Sequence, residues 1–247
     1  MDFRRTEEQL ALYKSVKDFA TEVVEPGAHE RDVEGRFDRG VWTKRGDFGL
    51  LGLPVPKEFG GSGADIITTC LALEALAEGG HDAGLGLSVG AHVTIGALPI
   101  WLHGTDEQKR RYLPKLTSGQ WVGAMAITEP GVGSDAATIE CKATRDGDEW
   151  VLNGSKIFIT SGSIADTMIV MAVTDPDASG HGGAPSSSRG TRRDSLWAAI
   201  STRRGRACRL FRYSILTTAG CLTPRCSEPR AARCGRLPSS ASIGSEP

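Results

Sequence analysis

The residues best suited to chemistry lie in one stretch, residues 124–135, which reads as a strand entering a loop of glycines and small hydroxyl residues. Gly131 and Gly133 would let backbone N–H groups approach an anionic or planar ligand, because glycine carries no Cβ. Thr128 and Ser134 can donate oriented hydrogen bonds to the same ligand. Taken alone, the stretch is also compatible with an ordinary glycine turn.

A dinucleotide-binding fingerprint is the first alternative, because Gly131-x-Gly133-x-x-Ala136 follows a predicted strand. That fingerprint requires a helix directly afterwards, whose N-terminus binds the pyrophosphate. Residues 138–144 instead alternate between apolar and polar side chains as a strand does. The sequence therefore disfavours an NAD-type oxidoreductase.

Two further patterns resemble catalytic or metal sites. Gly86-Leu87-Ser88-Val89-Gly90 matches the nucleophile elbow of hydrolases, which needs a strand before it and a helix after it, but its flanks predict helical core. His81, His92 and His103 recur at 11-residue spacing without carboxylates or thiolates at ligand spacing. We expect core or surface histidines there and no metal site.

The elements that position the loop begin with an all-α segment. Capping boxes at Thr6-x-x-Gln9 and Thr105-x-x-Gln108 each predict a helix start. An uncharged segment at 83–104 is interrupted by glycines and Pro99, which favours a buried core helix over a membrane span. The predicted helices run from 6 to Pro26-Gly27, over 39–48, 65–78 and 83–103, and from 105 to 118–119.

From Trp121 onward the apolar period changes from 3.6 to 2. Asp146-Gly147 and Asn153-Gly154 are hairpin turn pairs. We therefore predict an antiparallel barrel or sandwich after the helices, giving an α+β fold. The predicted strands are 121–127, 138–144, 150–152, 157–159 and 167–173.

Two motifs in order carry a family resemblance. They are Thr128-Glu129-Pro130-Gly131-x-Gly133-Ser134-Asp135 and Asn153-Gly154-x-Lys156-x-Phe158-Ile159-Thr160. Together they resemble the acyl-CoA dehydrogenase family, and the similarity runs through residues 3–176. The resemblance implies an N-terminal helical domain over 1–119 and a middle β-domain, incomplete here, over 120–177. It also implies a C-terminal four-helix domain, to which we expect no segment of this sequence to correspond.

The family binds FAD between the middle domain and the four-helix domain, so the resemblance implies an FAD site here. Thr128 would lie at the pyrimidine end of the flavin and the Thr160 hydroxyl near its reactive nitrogen. Phe158 stands where family members usually have tryptophan, and Ser134 corresponds to the serine that contacts the acyl-CoA substrate. The implied cofactor-binding residues are Met125, Ala126, Ile127, Thr128, Gly131, Gly133, Ser134, Phe158, Ile159 and Thr160.

The implied activity is α,β-dehydrogenation of an acyl-CoA thioester. A carboxylate base takes a proton while the neighbouring carbon passes a hydride to the flavin. The family places this base in the C-terminal domain, so we expect no catalytic residue in this chain. The implied electron acceptor is electron-transfer flavoprotein, and the family's homotetramer is not expected to be preserved. The alternative is a non-catalytic acyl-CoA- and FAD-binding remnant or a partner-binding chain.

Composition adds limits on partners and compartment. A formal net charge of −1 gives no reason to expect nucleic acid. Charged residues at the N-terminus, without an apolar core segment, argue against a secretory signal. Cys70 and Cys141 are scattered in the first 177 residues, as suits a reduced, cytoplasmic protein.

Residues 178–247 differ from the rest in composition. They contain 12 Arg, no Lys and three acidic residues. This composition predicts a disordered tail, which leaves the β-domain with unpaired strand edges. We expect Cys221-x-x-x-x-Cys226 and the arginine pairs of this tail to form no metal or nucleic-acid site. If degenerate codons are written for residues 183–205 and read starting from the third base of each codon, one allowed translation resembles the family's next strands. We hypothesise a reading-frame shift near residues 178–183, which an unbroken frame on resequencing would refute.

Overall fold

The computed structural model describes residues 4–146 and 149–173, and the backbone of three later strand segments. Seven α-helices lie in this part of the chain, and the strands follow them. The helices are α1 (Glu7–Phe19), α2 (Ala28–Glu34), α3 (Arg39–Phe48), α4 (Ile66–Gly80), α5 (Ala83–Ala91), α6 (Leu98–His103) and α7 (Asp106–Thr117). The strands are β1 (Gly123–Ala126), β2 (Lys142–Asp146), β3 (Glu149–Asn153), β4 (Thr167–Ala172), β5 (Trp197–Thr202), β6 (Leu237–Pro238) and β7 (Ser242–Ile243).

Local sequence signals set several helix boundaries as predicted. Both capping boxes are confirmed: Thr6 and Thr105 each exchange two hydrogen bonds with the glutamine three residues later. The bounds predicted for α3 are also confirmed. Asp38 accepts hydrogen bonds from the first turn, and Gly49 ends the helix at a φ of 91°, a conformation that favours glycine.

Other helix predictions need correction. The first predicted helix ends its α-helical part at Phe19 and continues as a π-helical segment, Ala20–Val24. The stretch predicted as one helix over 83–103 is divided by a second π-helical segment, His92–Ala97. Helix α2 was not predicted, because its sequence is largely polar and lacks an apolar stripe.

The helical core is built where α1 crosses α4. Gly79 lies so close to the backbone of α1 that an added Cβ would come within 2.4 Å of the Lys17 carbonyl oxygen. This close approach requires glycine and brings the apolar faces together. Val16, Trp42 and Leu51 are fully buried in this core.

One stretch, Ala83–His103, is long and apolar enough to cross a membrane by length and composition alone. Half of its most apolar window is buried inside the protein. Val89 and Ile100 belong to two different core clusters. Val89 and Ile100 thus pack inside the protein.

The strands form two small sheets, and the predicted antiparallel barrel or sandwich is not confirmed, because one strand pair is parallel. One sheet has the order β1-β4-β5-β7 and the other β2-β3-β6. Strands β1 and β4 are parallel, in register from Gly123 opposite Thr167 to Ala126 opposite Val170. The chain between them folds into a loop, the β2–β3 hairpin and a second loop, so it re-enters the sheet in its original direction. Neither sheet closes into a barrel within the described residues.

The β2–β3 hairpin is confirmed, with Asp146 opposite Glu149. The second predicted hairpin, at Asn153-Gly154, is wrong, because β3 ends there and Gly154 packs against Cys141. The predicted strand over 157–159 is also wrong, since Phe158 has a φ of 55° that an extended strand cannot contain. The predicted strand over 138–144 starts later, at Lys142, after a 3-10 turn at Ala136–Thr138.

The irregular tail predicted from residue 178 is described only in part. Strand β5 pairs antiparallel with β4 from Ala172 opposite Trp197 to Thr167 opposite Thr202, so β4 does not have the unpaired edge that was expected. Trp197, Ile200 and Thr202 of this segment are residues that favour strands. Apart from β5, β6 and β7, the residues of the predicted tail lie outside the described part, and the frame shift stays a prediction.

Candidate functional site

The first motif forms a tight turn at the end of β1. Glu129 and Val132 exchange two backbone hydrogen bonds, with N···O distances of 2.9 and 3.1 Å, around Pro130 and Gly131. Gly131 and Gly133 are exposed, and an added Cβ would meet no atom within 4 Å at either position. Both glycines therefore leave their backbone open to a ligand.

The second motif lies directly against the first. The Ile157 backbone N–H donates a hydrogen bond to the Thr128 carbonyl oxygen at 2.9 Å. The two motifs are about 30 residues apart in sequence. The structure thus brings together the segments that the resemblance assigns to one site.

A buried ion pair joins the two motifs. Lys156 is fully buried, and its Nζ donates to Glu129 Oε1 and to the Ile127 carbonyl oxygen, both at 2.7 Å. The Glu129 carboxylate also accepts from the backbone N–H groups of Glu140, at 2.7 Å, and Cys141, at 2.9 Å. One carboxylate therefore ties together the turn, the start of β2 and the second motif.

The hydrogen bonds of this cluster keep the Glu129 carboxyl group ionised. Burial by itself would raise the pKa of Glu129, but the hydrogen bonds from Lys156 and from the Glu140 and Cys141 backbone outweigh it and lower the pKa. Glu129 is therefore an anion paired with a cation. Burial raises the pKa of the adjacent Cys141 thiol to about 11, so this cysteine is not a reactive thiolate.

Glu129 and Lys156 were inside the recognised motifs but had no predicted role. The available signal was that charged residues are few among the apolar, small or turn-forming residues of the motifs: the second has Lys156, and the first has Glu129 and Asp135. That pattern indicates burial with a partner, since an unpaired buried charge is very costly. Sequence alone could not show that the two were partners.

Phe158 is presented outward at the edge of the second motif. Its side chain is 58% exposed, whereas the next residue, Ile159, is 2% exposed and lies in the β-domain core. The left-handed backbone at Phe158 makes this change of direction. Thr160 follows, half-buried.

The other residues predicted to bind the cofactor take different positions. Ala126 is fully buried in the β-domain core, so its side chain supports the turn and does not reach a ligand. Met125 packs against the helical cluster that contains Ile100 and Leu113. Ile127 and Thr128 are half-buried, and Ser134 is exposed.

The exposed and half-buried residues of the two motifs are chemically compatible with a flavin nucleotide. An aromatic ring at Phe158 offers an apolar face for a planar ring system. The open glycine backbone of the turn offers N–H donors and room for close approach. Hydroxyls at Thr128, Ser134 and Thr160 complete a donor set that fits FAD.

The start of β1 is fixed to the helical half by two contacts. The Asp166 carboxylate accepts from the Val122 backbone N–H at 2.9 Å and from Arg39 of α3 at 2.8 Å. The buried His92 ring accepts from the Gly123 N–H at 2.9 Å, and its other nitrogen lies 3.1 Å from the Leu116 carbonyl oxygen. His92 is therefore a neutral bridge between helices and strand, and burial lowers its pKa to about 4.

The competing patterns are accounted for by other structure. Ser88 lies within helix α5 and donates to the Gly84 carbonyl oxygen, so there is no nucleophile elbow. A 3-10 turn and a strand follow Gly133, where the dinucleotide fingerprint would need a helix. Exposed His81 faces Glu25 at 3.2 Å. Within the described residues, no three His, Cys, Asp or Glu side chains are grouped to hold a metal.

Comparison with known proteins adds independent support. Residues 6–120 match the family model described as acyl-CoA dehydrogenase, N-terminal domain, and residues 124–211 match acyl-CoA dehydrogenase, middle domain. A probable acyl-CoA dehydrogenase, YngJ of Bacillus subtilis, is 43% identical over 180 residues, covering 73% of this chain and 47% of that protein. The chain thus spans about half the length of this relative.

Solved structures show the same similarity. Butyryl-CoA dehydrogenase from Megasphaera elsdenii has a TM-score of 0.76 at 29% identity, covering 100% of this chain and 61% of that chain. The FAD complex of PigA has a TM-score of 0.77 at 28% identity, covering 100% of this chain and 60% of that chain. With the two family matches together spanning most of the sequence, this chain belongs to the acyl-CoA dehydrogenase family.

Proposed function

We propose that this chain provides the FAD-facing surface of an acyl-CoA dehydrogenase that forms the α,β double bond of an acyl-CoA thioester. The observation that supports this most directly is the hydrogen bond from Ile157 to Thr128, with the Glu129–Lys156 pair beneath it. These contacts hold the segment that contains the open glycine turn against the segment that contains Phe158.

The cofactor-binding roles are assigned from this geometry together with the family resemblance. When bound, FAD supplies the hydride acceptor. Phe158 packs against the flavin ring, and the hydroxyls of Thr128 and Thr160 donate to its polar edge. The backbone of Gly131 and Gly133 lies against the cofactor, and Ser134 contacts the acyl-CoA.

Removal of the α-proton needs a carboxylate base. The resemblance assigns that base to the C-terminal four-helix domain, beyond the residues that the two family models match. We propose that the described residues bind and orient, and that turnover depends on a carboxylate from that domain. We propose a helical domain over 1–119 and a middle domain that begins at 120; the pairing of β5 with β4 and the middle-domain match to residue 211 support an extent beyond the predicted boundary at 177.

The test is FAD binding followed by substrate addition. Purified chain is titrated with FAD, and binding is measured by the change in flavin absorbance and fluorescence. A set of saturated acyl-CoA thioesters of different lengths is then added without oxygen, and flavin bleaching is recorded. Saturable FAD binding supports the site, and bleaching shows that the acyl-CoA reduces the flavin. Absence of FAD binding by a folded chain would refute the proposal, and binding without bleaching would favour a non-catalytic acyl-CoA- and FAD-binding chain.

The remaining family properties are also proposals for this chain. We propose a soluble cytoplasmic protein whose electrons pass to electron-transfer flavoprotein. The family's homotetramer is not proposed for this chain by itself. A reduced-flavin reoxidation assay with purified electron-transfer flavoprotein would test the acceptor.

A further inference from the structure

Helix α3 carries a buried cation whose donors are not all used. Arg45 has no exposed surface. One of its terminal nitrogens, Nη1, donates to the Val41 carbonyl oxygen at 3.1 Å. Its Nε and Nη2 atoms are buried and have no hydrogen-bond partner among the described residues. A buried donor without an acceptor is costly, and more so on a charged group.

A second unused donor belongs to the same helix. Trp42 is fully buried, and its indole Nε1 also has no hydrogen-bond partner in the described part of the chain. Trp42 and Arg45 are three residues apart, which places both on one face of α3. This face therefore bears three buried nitrogen atoms with unused N–H groups.

The nearby carboxylates already have partners. Asp82 accepts from Arg31 at 3.1 Å and caps α5 through the Leu85 N–H at 2.9 Å. Asp38 caps α3 and accepts from Arg36 at 3.2 Å. Burial lowers the pKa of Arg45 to about 10, so Arg45 remains protonated at neutral pH.

The ion pairs of this region leave one cation, Arg45, without a carboxylate partner among the described residues. Asp82 and Asp38 act on Arg45 electrostatically in its favour, and Arg31 acts against it. Asp82 is paired with Arg31, at 13% and 5% side-chain exposure. Asp38 and Glu34 are both paired with the exposed Arg36.

We propose that the Arg45 face of α3 binds a small monovalent anion of halide size in the interior of the helical domain. Such an anion accepts several N–H donors at once and pairs with the buried guanidinium. A water molecule would accept two of the donors, but its own two O–H groups would need acceptors, and it would leave the guanidinium without a counter-ion. The fully buried location excludes larger anions such as a peptide carboxylate or a nucleotide phosphate.

The experiment measures unfolding of the complete chain in chloride, bromide or gluconate at matched ionic strength. Gluconate is too large for a buried site. Because only the folded state holds the anion, each tenfold rise in bromide above its Kd should raise the folding equilibrium constant tenfold. Equal stability in bromide and gluconate would overturn the proposal.

Two variants separate this site from general salt effects. Arg45→Met should abolish the difference between bromide and gluconate, whereas Arg110→Met, at an exposed position on α7, should keep it. A bromide response that survives in Arg45→Met would also overturn the proposal. If Arg45→Met does not fold, Trp42→Phe provides the second variant, and its Kd for bromide should rise severalfold.

Discussion

The two halves of the molecule each bury a basic side chain, and they do so in opposite ways. In the β half, Lys156 is matched by the Glu129 carboxylate and a backbone carbonyl at 2.7 Å. In the helical half, Arg45 keeps two nitrogen atoms without an acceptor among the described residues. The difference indicates that the first cation is part of a completed structural junction, and it supports the proposal that the second binds an anion.

The largest expected effect comes from breaking the completed pair. Lys156→Met should lower the free energy of unfolding by about 3–5 kcal/mol, because Glu129 would remain as a buried anion without its cation. Denaturant unfolding of the two proteins measures this difference. Lys17→Met, which breaks an exposed ion pair with Glu78, is the matched control and should change stability far less. A loss no larger than the control's would contradict the role given to the pair.

A pH titration tests the junction between the halves. His92 has a folded pKa of about 4 against an ordinary value of 6.5, because burial disfavours its charged form. As the pH falls, His92 is therefore protonated in the unfolded chain before it is protonated in the folded one. Its contribution to the free energy of unfolding is present above about pH 6.5 and is lost as the pH falls towards 4. At about 1.4 kcal/mol per pKa unit, the full loss is roughly 3 kcal/mol.

The measurement is the free energy of unfolding from pH 7 to pH 4.5 in the protein and in His92→Gln. The variant should show a shallower decline, because glutamine does not titrate. Identical slopes would show that His92 does not carry the acid sensitivity.

Removal of Arg45, the buried cation without a carboxylate partner among the described residues, should change the free energy of unfolding in the opposite sense to removal of Lys156. In gluconate, Arg45→Met should raise the free energy of unfolding by about 1–3 kcal/mol, since it removes unused buried donors and an unpaired charge. In bromide the gain should shrink or reverse. Destabilisation in gluconate as large as that of Lys156→Met would erase the contrast between the halves.

The smallest effect concerns the exposed edge of the β half. Phe158→Ala should weaken FAD binding by roughly tenfold, about 1–1.5 kcal/mol, while leaving stability nearly unchanged, because the ring is 58% exposed. Leu102→Ala, equally exposed at 58% on α6, should leave FAD affinity unchanged. Flavin fluorescence titrations of the three proteins provide the comparison. Equal affinity in all three would remove Phe158 from the proposed cofactor surface.

Much of the helical half was readable in the sequence because its signals are local. The capping boxes at Thr6 and Thr105 and the glycine after α3 act within a few residues, so they set boundaries without the rest of the fold. Helix α2 was missed because a tertiary contact holds it: its Arg31 is buried and paired with Asp82, 51 residues away. The β half was harder, since strand partners lie far apart in sequence.

By itself, the sequence determined the family, the change from helices to strands at Trp121 and the two motifs that face the proposed cofactor. Only the tertiary structure decided that β1 and β4 run parallel, that Phe158 turns outward and that Glu129 binds Lys156. The physical reason is the sequence separation of the residues that interact. Periodicity and capping depend on neighbours within one or two turns of chain, whereas the partner of a buried charge is chosen by the packing of segments far apart in sequence.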